Sequence, residues 1–383
     1  MQISISGMKI LFLDTKPIRR GAQVFLDDLS RQFEERNTAV KKVYLYEYNE
    51  DVKLDLQQQD SELNGNESHL FEKVPTIHPG LLIKLIKVVR QFKPDIILLN
   101  GSRTLKYGAA AKLFLPSSIK WIYRIIDSPK FWNRNPVKKW YYRNLVLSQI
   151  DAAVGVSAAS LNDMISLHGF KKPSTVIHRA INDDKFRSSP QRNQSRSQLG
   201  LGENEKVVLF LGNLTPQKRP DRFIEIIHLI KQCIPEIKAL IVGDGILKTE
   251  TEQKAISLGL SDNIRFCGYQ KDVVPFIAAS DLLILSSDTE GLPGVVLECG
   301  FMGIPTVSGD VGGIKECVDN GTTGFVLQDK LPASYADKAI QLLSDDALRN
   351  AMGEKQKIKV KSDFTMEKVI GKYNSFFEKM SKS

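Results

Sequence analysis

Cysteine is scarce in this chain. There are four in 383 residues, Cys233, Cys267, Cys299 and Cys317, all in the second half and none in a C-x-x-C pair. That excludes a disulfide scaffold, and free thiols in a reducing cytoplasm are the simplest reading. Histidine is almost as rare: His69, His78, His168, His178 and His228 stand at no metal-ligand spacing from one another or from a cysteine. No D-x-D occurs, so the common carboxylate motif for a divalent cation is missing. No run of 18 apolar residues occurs either, which argues against a helical membrane span. Met1 to Leu13 has neither a basic start nor a small-residue cleavage site and is expected to form a first strand rather than a leader.

Hydrophobic residues make up 42% and charged residues 25%, the balance of a soluble globular protein with room for two domains. Charge is unevenly placed. Residues 1–190 hold 29 Lys+Arg against 19 Asp+Glu, whereas residues 191–383 hold 24 against 25. Between Lys73 and Arg143 there are 15 basic residues and only two acidic ones, Asp95 and Asp127. Such an excess points to an anionic partner, with a solvated face as the plain alternative. No helix-turn-helix or aromatic–basic RNA motif accompanies it, so nucleic acid is not the expected partner.

Apolar runs alternate with helical stretches along the whole chain, which predicts two α/β halves with mainly parallel sheets. Strands are expected at Met8–Leu13, Lys42–Tyr46, Asp95–Asn100, Lys120–Ile126, Ala152–Val156 and Thr175–His178. A second set is expected at Val207–Leu211, Ala239–Val242, Ile264–Cys267, Leu282–Leu285, Thr306–Ser308 and Phe325–Leu327. Residues 50–72 are polar and read as a mobile excursion. Residues 187–198 lack apolar periodicity and read as linker. The division drawn is 1–186, 187–365 and a final helix in 366–383. The helices at 81–92 and 131–143 mix cations with large apolar residues, so their apolar faces suit either a core or a membrane surface.

The densest chemistry lies in Ser286-Ser287-Asp288-Thr289-Glu290-Gly291-Leu292-Pro293-Gly294-Val295-Val296-Leu297-Glu298. The pattern reads strand, loop, helix. Glu290 would sit on the loop, and Glu298 about 6 Å along the helix from Gly294. Pro293 has no N–H, so the free donors at the helix start belong to Gly294 and Val295. Two carboxylates beside a positive helix end suit a diphosphate flanked by hydroxylated sugars. Gly212-Asn213-Leu214-Thr215-Pro216-Gln217-Lys218-Arg219-Pro220 also follows a strand and precedes a helix, with Lys218 as a mobile charge for phosphate. Gly243-Asp244-Gly245 closes another strand.

EGLPGVVLE, an E-x7-E pattern, resembles the signature of retaining glycosyltransferase family 4, which has the GT-B fold. Gly303-Ile304-Pro305, Gly312-Gly313-Ile314-Lys315-Glu316 and Asn320-Gly321-x-x-Gly324 downstream agree with it, as do the Gly212 and Gly243 loops upstream. The likeness is strong over about 205–330 and weaker before. It implies two Rossmann-like domains facing each other across a cleft, the first for the acceptor and the second for the nucleotide sugar, with the last helix packing back on the first domain. Glu298 would bind the ribose and Glu290 would lie beside the donor hexose. Lys218 would meet the diphosphate, with Gly212, Gly243, Leu292, Gly294 and Val295 shaping the pocket. Asn213 stands where the family has arginine, and Arg219 is the candidate to compensate. Arg20-Gly21 stands at the family's Gly-Gly loop, and Asp127 follows Ile126 where relatives carry His-Asp; both belong to the acceptor or phosphate side. Glu290, Lys218 and Asp127 are the candidate catalytic residues.

The resemblance implies a metal-independent retaining hexosyltransferase without a cofactor. Its donor would be a UDP- or GDP-linked sugar and its acceptor a cell-surface glycan or a lipid-linked hydroxyl. The expected location is cytoplasmic, with the inner face of an anionic membrane as a candidate partner. The alternatives are a GT-B sugar-nucleotide epimerase and a noncatalytic protein that binds nucleic acid or another anion.

Overall fold

The computed structural model describes residues 7–48, 52–65, 77–132, 135–187 and 190–382. The chain divides into two compact units, Met1–Arg179 with Met366–Ser383, and Ala180–Thr365. The boundary lies slightly ahead of the 186/187 division drawn from the sequence.

The first unit is built on strands β1 (Lys9–Asp14), β2 (Ala39–Tyr46), β3 (Ser61–Gly65), β4 (Ile96–Asn100), β5 (Lys120–Ile125), β6 (Ala152–Gly155) and β7 (Ser174–Val176). They pair in the order β3-β2-β1-β4-β5-β6-β7, every pair parallel. Their apolar runs do not alternate because helices cover both faces, so β4 is buried at every residue. Leu13 pairs with Leu99, and Asn100 with Arg124, so the loops after β1, β4 and β5 leave from one end of the sheet. The final helix, Met366–Ser381, belongs to this unit, with Phe377 stacked on Phe33 at 5.8 Å.

One expectation here is corrected. The polar excursion at 50–72 contributes an edge strand, β3, although parts of that stretch lie outside the described residues. Lys42, buried on β2, is held by Asp27 and by Asp60 at 3.2 Å, one residue before β3. A buried ammonium needs such partners, and together with Leu63, buried on β3 against the core, they fix a segment too polar to read as a strand.

The second unit carries β8 (Val207–Leu211), β9 (Lys238–Val242), β10 (Ile264–Gly268), β11 (Leu282–Leu285), β12 (Thr306–Gly309) and β13 (Gly324–Leu327). Their order is β10-β9-β8-β11-β12-β13, again parallel. The unit's two ends lie side by side, with the Ile181 N–H donating to the Phe364 carbonyl at 2.9 Å. The expected linker is not all linker. Arg192–Gln198 is a helix of this unit, and Arg196, 1% exposed, donates to Asp281 Oδ2 at 2.9 Å and to the Ala279 carbonyl. Asp281 also accepts from the Val207 N–H, so one carboxylate ties the helix to the start of β8.

Candidate active site

In the second unit the strand order reverses between β8 and β11, and the loops there are joined to one another. The Asp288 N–H donates to the Gln217 carbonyl at 2.9 Å, and Gln217 Nε2 to the Thr289 carbonyl at 3.0 Å. The Ser286 hydroxyl donates to the Lys218 and Arg219 carbonyls. Two glycines permit the approach. A Cβ on Gly243 would lie 2.0 Å from the Gly212 carbonyl oxygen, and one on Gly312, at φ +50°, would lie 1.8 Å from that of Glu290.

Three side chains form a knot on this frame. Glu290 is 7% exposed, and its Oε1 accepts from Lys218 Nζ and from the Ser287 hydroxyl, each at 2.6 Å. Burying a carboxylate requires such donors. Both settle on Oε1; among the described residues nothing donates to Oε2. The following helix, Gly294–Phe301, opens at Pro293 without a side-chain cap. Its first-turn N–H groups on Gly294 and Val295 have no acceptor within the helix. Leu292 is buried just ahead of it, and Glu298 lies half-buried one turn on, with no donor on its carboxylate among the described residues. The donors and Glu298 are thus free to meet a ligand, whereas Glu290 is already oriented.

Arg219 behaves differently from the sequence expectation of a phosphate cation. Its guanidinium is held by Asp221, at 2.8 Å, and by Asp288, at 3.2 Å, and its own backbone is left-handed at φ +52°. Arg222 takes the other oxygen of Asp288 at 2.9 Å. Burial pushes Asp288 up, but the hydrogen bonds from Arg222 and Arg219 outweigh it and hold the carboxyl below the usual range. Asn213 is half-buried on the β8 loop, and its side chain has no partner among the described residues. Lys218 is therefore the cation of these loops that a ligand could recruit, by exchange with Glu290.

Arg20, Gly21 and Asp127 lie in the other unit, at the carboxyl ends of β1 and β5. Arg20 is exposed at the start of the Gly21–Glu34 helix. The Arg179 guanidinium lies against Gly21, 2.9 Å from where a Cβ would stand. Asp127 is half-buried; burial raises the Tyr123 and Tyr142 hydroxyls, and the Asp127 charge adds to the rise at both, after Tyr141 at Tyr142. Beneath these loops runs a polar relay that sequence reasoning missed. Arg124 donates to Asn100 Oδ1 at 2.7 Å, and Asn100 Nδ2 to Asp14 Oδ2 at 2.6 Å. Its one visible signal was an asparagine closing an otherwise apolar strand. Among the described residues no group of three His, Cys, Asp or Glu could hold a metal ion.

Family models match both halves: Glycosyltransferase Family 4 over residues 19–185 and Glycosyl transferases group 1 over residues 191–359. The chain belongs to glycosyltransferase family 4. Among its relatives is the N-acetyl-alpha-D-glucosaminyl L-malate synthase of Bacillus anthracis, 30% identical over 60% of each chain. Another is the UDP-Gal:alpha-D-GlcNAc-diphosphoundecaprenol alpha-1,3-galactosyltransferase of Escherichia coli, 25% identical over 77% of this chain and 78% of that one. The matches to the Bacillus protein and to the D-inositol 3-phosphate glycosyltransferase of Streptomyces avermitilis span 60% and 41% of those proteins' lengths. Anabaena HepE, solved with UDP and glucose, superposes with a TM-score of 0.82 at 22% identity, over 97% of this chain and 99% of that one. The fold is GT-B, as the family resemblance implied. Within this family-4 chain, the ten residues expected on the donor side all fall on the loops and helix start of one unit.

Proposed function

We propose that this family-4 chain is a retaining hexosyltransferase. It moves a hexose from a UDP-linked donor to a hydroxyl of a cell-surface glycan or a lipid-linked acceptor. The observation that carries this reading is the Lys218–Glu290–Ser287 knot set beside the open N–H groups of Gly294 and Val295. UDP is favoured over GDP because the Escherichia coli relative, matched over 77% of this chain, is named for UDP-Gal. Its named acceptor is also lipid-linked.

The residues divide the work by charge. The Gly294 and Val295 amides and Lys218 take the charge that grows on the leaving diphosphate, where a preorganised donor acts most strongly. Glu298 accepts from the ribose, and Glu290, fixed through Oε1, offers Oε2 to the hexose. Glu290 accepts a hydrogen bond from the hexose and does not attack it; substitution occurs on one face, with the leaving phosphate taking the acceptor proton. Lys218 and the helix end neutralise the leaving group without a metal ion. Asp127 orients the acceptor hydroxyl from the first unit.

An anionic membrane face is the proposed seat. Val137 and Trp140 are 74% and 59% exposed on the Pro136–Tyr141 helix, which also carries Lys138 and Lys139. Tyr142, just beyond it, is buried, so the two readings of this stretch divide between neighbouring residues. Likewise, on the Pro79–Phe92 helix, Leu81, Leu85 and Val89 face the core while Ile83 is exposed.

The deciding experiment incubates the full chain with a panel of UDP-sugars and follows UDP release and the anomer of the freed sugar by NMR. Retention is expected, with the donor's own anomer appearing first. Prompt appearance of the opposite anomer counts against the mechanism. Conversion of the donor into another UDP-sugar, without release, would make the chain an epimerase.

A further inference from the structure

The helices Pro79–Phe92 and Ser102–Lys112 share one core, with Leu81, Leu85 and Val89 of the first packed in the same cluster as Leu105 and Tyr107 of the second. On their outer side a groove is left open, lined by Ile83, Ile86, Lys87, Arg90, Gln91 and Phe114. Arg90 ties its two walls together, its Nη2 donating to the Phe114 carbonyl at 3.2 Å. The apolar members reach into solvent: Ile83 is 67% and Phe114 58% exposed, and Leu113 beside it is 67% exposed. The charges around the groove have one sign. Neither helix carries an acidic residue, and none occurs from Lys73 to Pro94 or from Gly101 to Ile119. Asp95, the acid between those stretches, accepts from the Lys9 N–H at 2.7 Å. Lys87 and Gln91 have no partner among the described residues.

An apolar trough with a cationic rim complements an alkyl chain that ends in an anionic head. The apolar strip is narrow. On the helix it ends at Ile86, and Lys87, Arg90 and Gln91 follow within about 8 Å. That is short of the continuous stripe a docking helix covers. A second copy facing the groove would set like charges against one another. We propose that this groove binds a single anionic lipid, with one acyl chain against Ile83, Ile86 and Phe114 and the phosphate on Lys87 and Arg90. An ammonium beside an arginine fork suits a phosphate oxyanion. Gln91 and Phe114 stand just ahead of the amino ends of β4 and β5, whereas Arg20 and Asp127 lie at carboxyl ends. The lipid is therefore an anchor and not the acceptor. The site deepens the membrane seat and rests on that reading only for the source of the lipid.

The probe is dihexanoyl phosphatidic acid, kept monomeric below its micellar concentration and titrated calorimetrically into the full chain. One site per chain is expected. The dibutanoyl form is two methylenes shorter on the chain in the groove and should bind about fifteenfold more weakly. Phe114→Ser and Lys87→Gln, both at exposed positions, should each cost about tenfold. Val137→Ala with Trp140→Ala should leave this binding unchanged. No saturable binding at millimolar lipid, or equal affinity in wild type and Phe114→Ser, overturns the groove. Equal affinity for glycerol 3-phosphate, the head alone, reduces it to a patch for any anion and overturns the chain site. A designed helical peptide, with leucines at every third and fourth position and glutamates between them, forms another arm, and sedimentation of the chain alone a third. Phe114-dependent binding of the peptide without binding of the lipid assigns the groove to a partner helix, and Phe114-dependent dimerisation assigns it to a second copy; either overturns the lipid site. A wild-type chain that binds the monomeric lipid yet fails to float with anionic liposomes keeps the groove and sinks the membrane seat.

Discussion

Ser287→Ala is the sharpest probe of the donor site. In the ligand-free protein Glu290 Oε1 has two donors at 2.6 Å, the Ser287 hydroxyl and Lys218 Nζ. A diphosphate competes for Lys218, whose side chain is more open than that of Glu290. Once Lys218 turns to the phosphate, Ser287 is the donor left to fix the carboxylate. A hydrogen bond to a charged group is worth about 1.5–3 kcal/mol, roughly ten- to 150-fold in binding. The loss should fall on the sugar and not on the nucleotide, because Ser287 touches Glu290 and nothing proposed for UDP. Calorimetry with UDP and with the UDP-sugar selected by the hydrolysis panel separates the two. UDP affinity should stay within about twofold while the advantage of the UDP-sugar collapses, as expected when one positioned contact is released. Ser287→Thr keeps the hydroxyl and should restore the sugar preference, at about 1–3 kcal/mol of stability for a methyl forced into a buried site. Equal weakening of UDP and UDP-sugar would mean that Ser287 merely holds the loop, and the account of an oriented Glu290 would be wrong.

Glu298→Ala should weaken UDP itself about ten- to hundredfold by titration, the reverse pattern to Ser287→Ala. UDP release should persist in excess chelator, and loss of activity restored by magnesium or manganese would contradict the metal-free account. His168 is held below its ordinary 6.5 by burial, and by the charges of Lys139 and Arg143. The folded ring therefore prefers to stay neutral, so stability is unaffected above 6.5 and falls as pH drops below it, where the unfolded chain binds a proton that the folded ring resists. The urea midpoint should fall on acidification, and His168→Phe should flatten that slope. Trp140→Ala with Val137→Ala should abolish flotation with anionic liposomes and leave UDP affinity unchanged; equal flotation would remove the membrane seat.

How far the sequence carried the fold depended on what stabilised each element. β8, β9, β11 and β12 were readable because each is a largely apolar run buried along nearly its whole length, and the edge strands β10 and β13 kept enough apolar residues to be seen beside them. β3 and the Arg192–Gln198 helix were not, because long-range ion pairs help to hold them and β3 places a single leucine, Leu63, in the core. Asp60 on Lys42 and Arg196 on Asp281 join residues far apart in sequence, and no local period reveals such a pair. The donor loops were legible through the spacing of Lys218, Glu290 and Glu298, but the role of Arg219 was not. Its neighbours Asp221 and Asp288 were visible as letters; that both would close on one guanidinium required the fold. Arg179 gave no local signal at all, since its partner Gly21 lies at the other end of the unit's sequence.

The fate of Arg219 bears on how the donor is recognised. With Arg219 and Arg222 neutralised by Asp221 and Asp288, and Asn213 uncharged, the donor loops hold little net positive charge before a ligand arrives. Lys218 is itself paired with Glu290. On the proposed reading, a diphosphate would be met first by directed N–H groups at a helix start, and only then by a lysine that must leave a carboxylate to reach it. That exchange has a consequence for selectivity. Inorganic anions gain Lys218 only by leaving Glu290 without its counter-charge, whereas a nucleotide sugar replaces what it removes by offering a hexose hydroxyl to the vacated carboxylate. On that reading the pair would favour a donor that carries both a diphosphate and a sugar over one that carries either alone.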